Sequence, residues 1–324
     1  MPSMRAARIV TLDGPSSIEV VDVDAPTAPQ DGVLIDVKAA GVCFPDVLQT
    51  RGEYQIKPDL PFVPGCEVAG VVVAAGPSSR YAVGDRVAAF PFIGGFAEQV
   101  AASDTMTFTL PDDVDFESGA ALPMNYLTCH FALVKRGQLQ SGETVLVHGA
   151  AGGIGTAATQ LAKAKGATVY AVVSDDAKAD VARAAGADEV LLSDGFLGRV
   201  KELTDGAGVD VVVDPVGGDR FTDSLRSLAT LGRLLVIGFT AGSIPEVKVN
   251  RLLLNNISVV GVGWGAYWMT RPDFLARQWD DLVPLLISGT LKPVIGPTFP
   301  LEEAAEAVAT LDERRATGKV LLIP

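Results

Sequence analysis

The chain lacks basic charge: 26 Lys and Arg stand against 39 Asp and Glu, for a formal charge of −13. A surface of that sign repels phosphates, which argues against nucleic acid or an anionic membrane as the main partner. Long hydrophobic runs are also missing. No apolar stretch reaches the ~18 residues needed to cross a bilayer, and the opening Met1-Pro2-Ser3-Met4-Arg5 has no leader-like apolar core. Cysteine is scarce, with three residues at Cys43, Cys66 and Cys129, an odd number that makes no disulfide framework and suits a reducing compartment. Together these absences predict a cytoplasmic protein. The two histidines, His130 and His148, read as structural, and no Ser-His-Asp or Cys-His arrangement has supporting context. Nucleophilic catalysis is not indicated.

What is present is length and apolar content. At 324 residues, 48% of them apolar, the chain exceeds the size at which one core stops growing, so two domains are expected. Residues 1 to about 122 are short apolar runs punctuated by Gly and Pro, such as Gly32–Val37, Glu67–Val73 and Asp85–Phe90, a texture that favours an all-β unit. From about 124 to 267, apolar strands alternate with Ala-rich helical segments, which predicts βαβ units and a parallel sheet. The expected strands are Thr144–His148, Thr168–Val173, Glu189–Leu192, Val209–Asp214, Arg233–Phe239 and Ile257–Gly263. After Arg271-Pro272 come an amphipathic helix over Asp273–Ser288, a second helix from Leu301 and a closing strand, Lys319–Ile323, expected to fold back on the first domain. The Ile257–Gly263 strand, placed at the sheet edge, predicts pairing with its copy in a homodimer.

Thr144–His148 runs into Gly149-Ala150-Ala151-Gly152-Gly153-Ile154-Gly155 and then into a helical segment. Strand, glycine turn and helix stand in the order a pyrophosphate site requires. Gly152 and Gly153 let backbone N–H groups approach a diphosphate at the positive helix end, and Gly155 permits close packing of helix on strand. Some 20 residues on, where an acid would grip the ribose 2′-hydroxyl of NAD, stands Val173. Ser174 and Lys178 can instead receive a 2′-phosphate, with Asp175 and Asp176 opposed to it unless they face solvent. The predicted cofactor is therefore NADPH.

Several segments carry a family resemblance: Gly41-Val42-Cys43-Phe44-Pro45-Asp46, Arg51-Gly52-Glu53-Tyr54, the run from Pro61 to Gly70, Gly84-Asp85-Arg86-Val87, the glycine loop, Val213–Gly218 and Gly318-Lys319-Val320. The chain resembles the zinc-independent quinone oxidoreductases, zeta-crystallin-like members of the medium-chain dehydrogenase/reductase superfamily. The resemblance implies an α/β protein. A GroES-like β-barrel catalytic domain (1–123 and 268–324) accompanies a Rossmann doubly wound parallel sheet (124–267), with the nicotinamide in the cleft. It also implies that Thr128, Gly238, Phe239, Gly263 and Trp264 border the nicotinamide.

Zinc-dependent relatives place ligands at positions matching Cys43, Cys66 and Met124, and Met is a poor zinc ligand. The four clustered cysteines of a structural zinc are absent. Cys43 and Cys66 are therefore expected to be buried thiols acting as small hydrophobes, the alternative being an improvised site that also uses Glu67. The implied reaction is hydride transfer to a quinone or similar conjugated carbonyl compound without a metal. Candidate catalytic residues are Tyr54, Cys43 and Asp46, Tyr54 matching a tyrosine assigned as proton donor in enoyl-thioester reductases. In zinc-free relatives an asparagine stands where Cys43 does, and many place a tyrosine where Ser193 does. The rival readings are a 2-enal or enoyl-thioester reductase on the same scaffold, a zinc-dependent alcohol dehydrogenase, and a non-enzymatic NADPH-binding protein.

Overall fold

The structure, a computed structural model, describes residues 3–271 and 273–324. Met1 and Pro2, from the opening stretch, and Pro272, before the first C-terminal helix, lie outside the described residues. By its internal contacts the chain separates into two units. One comprises Met1–Leu127, Pro272–Gly289 and Ile295–Pro324; the other comprises Thr128–Arg271 and Thr290–Val294.

The first unit begins with β1 (Ser3–Ile9) and β2 (Ile18–Asp24), paired antiparallel. Strands β3 (Gly32–Gly41), β4 (Glu67–Ala75), β5 (Arg86–Ala89) and β7 (Thr107–Thr109) pair antiparallel in that order, and β6 (Gln99–Ser103) lies along the start of β3. Alternation explains the core: Val33, Ile35 and Val37 of β3, Val68 and Val72 of β4 and Val87 of β5 are almost fully buried in one cluster with Phe96. Burial at that level is worth ~1.5–3 kcal/mol per side chain. Helix α1 (Phe44–Gln49) starts immediately after β3 and is held by a capping box, in which Asp46 accepts the Cys43 N–H. Short helices α2 (Phe116–Ala120) and α3 (Pro123–His130) follow.

The second unit is a six-stranded parallel sheet of β8 (Thr144–His148), β9 (Thr168–Val173), β10 (Glu189–Leu192), β11 (Val209–Asp214), β12 (Leu228–Val236) and β13 (Ser258–Gly261). Its order is β10-β9-β8-β11-β12-β13, so the direction of winding reverses between β8 and β11. Helices α4 (Gly153–Ala164), α5 (Ala179–Ala184), α6 (Phe196–Leu203), α7 (Phe221–Arg226), α8 (Asn250–Asn255) and α9 (Trp264–Trp268) connect and follow the strands. The middle residues of β8 and β11, Val145–Val147 and Val211–Val213, are wholly buried because both faces of the sheet are covered.

Two strands depart from expectation. Expected over Arg233–Phe239, β12 begins at Leu228, which pairs with Val209 across an irregular register, and stops at Val236. Ile237 still donates to the Asp214 carbonyl, and beyond it Thr240 and Ala241 turn their N–H groups to the carbonyls of Pro215 and Val216. Strand β13 is shorter than Ile257–Gly263, since Ile257 is tied to Leu252 by its N–H.

The chain then returns to the first unit through α10 (Phe274–Ile287), β14 (Ile295–Pro300), α11 (Ala304–Asp312) and β15 (Lys319–Ile323). The closing strand pairs antiparallel with the end of β3 and parallel with β14, completing a seven-stranded sheet. This sets Lys319 near Cys43 and Glu67.

Candidate functional site

In the second unit the glycine loop leaves the carboxyl end of β8. Gly149 leaves β8 with φ +59°, and Ala150 donates its N–H to the Val172 carbonyl of β9 at 3.1 Å, holding the loop on the sheet. A Cβ on Gly155 would lie 2.2 Å from the Gly149 carbonyl oxygen and 2.5 Å from the Ala150 Cα, so only glycine lets α4 start this close to its strand. At Gly152 the opposite holds: a Cβ would meet nothing nearer than the Gly149 oxygen at 3.5 Å. The space there is open, and no side chain caps the helix that Gly152 begins. A 12-residue helix so presented offers N–H groups and the positive end of its dipole at the point where the winding reverses.

The other expected residues of the unit stand on α3, on the turn after β12 and at the start of α9. The Cys129 thiol donates to the Ile154 carbonyl at 3.4 Å, and the neighbouring Thr128 is itself buried. Gly238 and Phe239 fold over the turn after β11, where the Asp214 carboxylate accepts the N–H groups of Val216 and Gly217 at 2.9 Å each. Phe239 is half-buried there, and a Cβ on Gly217 would lie 2.9 Å from its ring. Gly263 begins α9 beyond the end of β13, and the buried Trp264 packs its ring 5.8 Å from that of Trp268.

At the end of β9, Ser174 and Lys178 meet: the Lys178 Nζ donates to the Ser174 Oγ at 3.1 Å. Asp175 shares them. Its carboxylate accepts from the Ser174 hydroxyl at 2.7 Å, lies 3.8 Å from the Lys178 Nζ and caps the Lys178 N–H. The Ser174 hydrogen bond and then Lys178 hold the Asp175 carboxyl below its ordinary range. Asp175 is exposed, yet it is engaged by both Ser174 and Lys178.

The histidines are packed. His148, 1% exposed, places Nε2 2.8 Å from the Ser224 hydroxyl and meets the Phe196 ring edge-on at 5.0 Å. Burial holds its pKa down at about 4. His130 is also buried.

In the first unit, two of the candidate catalytic residues, Cys43 and Asp46, come together with Cys66. Cys43, Asp46 and Cys66 offer ligand atoms within 4.8 Å of one another, all buried. The Asp46 carboxylate accepts the N–H groups of Cys43 at 2.7 Å and Gly65 at 3.1 Å, stitching α1 to the loop before β4. Burial raises the Asp46 carboxyl to about 7, against the pull of those two hydrogen bonds. Tyr54, on the half-buried loop after α1, is pushed up to about 12 by burial and then by Cys66, Cys43 and Asp46, so its phenol stays protonated through neutral pH.

The expectation that Cys43 and Cys66 act as small hydrophobes needs correction. Cys43 Sγ donates to Glu67 Oε1 at 3.1 Å and accepts from the Lys319 Nζ at 3.0 Å. Lys319, 3% exposed, forms an ion pair with Glu67, which is wholly buried. Glu67 also accepts the Met124 N–H at 2.6 Å. Burial pushes the Cys43 thiol up; a hydrogen bond to Cys43, then burial, raises Cys66 further. Lys319 stays charged because Cys43 and Glu67 outweigh its burial. Sequence reading missed Lys319 as a site residue. The available signal was a charged residue opening an otherwise apolar strand, Lys319-Val320-Leu321-Leu322-Ile323, with Glu67 opening another. Charges so placed are retained only when paired.

A doubly wound sheet opening on an uncapped helix at its switch point is the framework of a dinucleotide-binding oxidoreductase. Comparison with known proteins narrows the class. Residues 29–112 match the alcohol dehydrogenase GroES-like domain family and 153–281 the zinc-binding dehydrogenase family. Quinone oxidoreductase-like protein 2 of Bos taurus is 39% identical, over 98% of this chain and 92% of that protein. A probable oxidoreductase from Mycobacterium abscessus superposes with a TM-score of 0.92 at 47% identity, covering 100% of this chain and 99% of that one. The Thermus thermophilus quinone oxidoreductase, solved alone and with NADPH, gives 0.85 at 36% identity, covering 99% of this chain and 100% of that one. The chain belongs to the quinone oxidoreductase family of the medium-chain dehydrogenase/reductase superfamily, and it is an oxidoreductase.

The zinc that one family description implies does not fit the residues present. Tetrahedral zinc requires deprotonated thiols or imidazole, whereas Cys43 and Cys66 are held as thiols, no histidine joins them, and both Asp46 oxygens already accept N–H bonds. A cation is already there. A dication about 4 Å from the Lys319 ammonium would be repelled by roughly 8 kcal/mol at an effective dielectric of 20.

Proposed function

We propose that the chain is an NADPH-dependent reductase that transfers hydride to a quinone or similar conjugated carbonyl compound without a metal ion. The observation that carries this reading is the open start of α4, with Ser174 and Lys178 together at the end of the next strand. Its relationship to quinone oxidoreductases, one of them solved with NADPH, supports the choice. Residues 124–267 form the dinucleotide domain in this reading, and 1–123 with 268–324 the catalytic domain.

Bound NADPH supplies the hydride. The N–H groups around Gly152, Gly153 and Ile154 take the diphosphate, with Gly149, Ala151 and Gly155 shaping the loop. Ser174 and Lys178 exchange Asp175 for the 2′-phosphate. Thr128, Gly238, Phe239, Gly263 and Trp264 border the nicotinamide and exclude water. A quinone spreads its new negative charge by conjugation and needs only positioning. An enone needs a proton, which the phenol of Tyr54 donates. Asp46 positions Cys43 by accepting its N–H.

Steady-state oxidation of NADPH with 1,4-quinones, 2-enals and enoyl-CoA thioesters tests the reading. Quinones should give the highest kcat/KM, with NADH at least about tenfold poorer than NADPH. Failure of every acceptor to oxidise NADPH overturns it. Tyr54 also carries the second reading, an enal or enoyl-thioester reductase. Tyr54→Phe should spare quinone reduction and slow enal reduction by roughly 10²-fold.

The sheet edge supplies the proposed partner, a second copy of the chain in a cytosolic homodimer. Strand β13 ends the sheet, and Val249, Leu253 and Leu254 beside it are 71%, 76% and 73% exposed. Apolar side chains at an open edge invite pairing. Light scattering should give a dimer for the wild type and a monomer for Leu253→Lys/Leu254→Lys; a wild-type monomer removes the idea.

A further inference from the structure

We infer that the Lys319 ammonium holds the place a metal ion would take among Cys43, Asp46, Cys66 and Glu67, and that its charge is what denies this nest to divalent metals. The inference stands apart from the substrate and cofactor proposals, because it concerns the first unit's own side chains and is read by metal content.

Without the lysine, two thiols and two carboxyl groups make a donor set of a kind that soft divalent ions accept once the thiols lose their protons. Two thiol sulfurs and a carboxylate oxygen lie within 4.8 Å of one another, near enough that small side-chain shifts would bring them around a single ion. The fourth acidic group, Glu67, is wholly buried and reaches Cys43 Sγ at 3.1 Å. A buried collection of this kind requires a compensating cation. The structure supplies one: Lys319 enters on the last strand, donates to Cys43 Sγ at 3.0 Å and pairs with Glu67. The nest is thus complete as a salt-bridged network. A metal would have to strip protons from both thiols, displace the N–H bonds on Asp46 and coexist with a fixed positive charge.

Removing that charge should convert the network into a metal site. Full-length wild type, Lys319→Ala and Lys319→Arg are incubated with zinc or cobalt(II), freed of loose metal, and analysed for bound metal. Lys319→Ala should retain about one equivalent per chain, and the cobalt form should show the near-ultraviolet charge-transfer and visible bands of tetrahedral thiolate ligation. Wild type and Lys319→Arg should retain less than about a tenth as much. Adding Cys43→Ser to Lys319→Ala should abolish both uptake and bands.

A folded Lys319→Ala chain that stays metal-free, or a wild type that binds an equivalent through Cys43 and Cys66, overturns the inference. The alanine variant leaves Glu67 buried without its counter-ion, so its stability has its own readout. Metal should raise its unfolding temperature and a chelator should lower it again. Should the variant be insoluble, recovery of soluble protein only when cobalt is supplied during expression supports the inference; insolubility with and without metal overturns it.

Discussion

At the residue scale, function turns on who pairs with a charge. Lys178 is shared between Ser174 and Asp175, so the group that would select a 2′-phosphate is partly neutralised by its own neighbour. Asp175→Asn should lower the KM for NADPH by a few-fold and leave NADH unchanged, while Lys178→Ala should raise the NADPH KM about tenfold. If neither substitution alters the NADPH-to-NADH ratio, the phosphate site lies elsewhere. His148 makes a different prediction. Burial holds it at about 4, against an ordinary value of 6.5 in the unfolded chain. Between those values the unfolded chain binds a proton that the folded one refuses. The contribution is therefore full above 6.5 and drains away as the pH falls toward 4, by at most ~1.4 kcal/mol per pH unit. Asp46, raised to about 7, acts in the opposite sense, losing stability as pH rises, so the informative quantity is the difference between variant and wild type. Urea unfolding at about pH 7.5 and about pH 5 should show His148→Gln losing less stability on acidification than wild type. Parallel losses would refute the role given to His148.

At the element scale, the glycine loop and α4 behave as one unit with β8. A side chain at position 155 would meet backbone at 2.2 Å, which neither loop nor helix can yield without moving the N–H groups. Gly155→Val should thus weaken NADPH binding by at least tenfold, at a cost to stability of about 1–3 kcal/mol, read by fluorescence titration and thermal unfolding. Unchanged affinity would show that the helix start is not the anchor. The same region was the most legible in the sequence. Strands β8, β9, β10 and β11 run over the residues expected, because short, mostly apolar runs bounded by glycine or helical segments leave little freedom in where they end. The ends of β12 were not legible: they are set by a register irregularity against β11 and by the turn in which Thr240 and Ala241 donate to Pro215 and Val216.

At the scale of the molecule, the chain closes on itself. Strand β15 buries Val320, Leu321 and Leu322 to 1% exposure or less and brings Lys319 to Glu67. Three such side chains contribute roughly 5–9 kcal/mol, comparable with the about 5–15 kcal/mol that holds a whole domain folded. A chain ended at Thr317 should therefore fail to fold its first unit, seen as lost soluble yield or a lost cooperative thermal transition. A truncated chain melting within a few degrees of the full one would contradict this. Composition and local order alone determined that this is an acidic α/β protein with a strand, glycine turn and helix fit for a diphosphate, since those signals lie within a few consecutive residues. Only tertiary structure decided that Cys43 and Cys66 belong to a polar nest and not to an apolar core. The lysine that makes the difference enters from the far end of the chain, 276 residues from Cys43, and pairing over such a distance leaves no local trace.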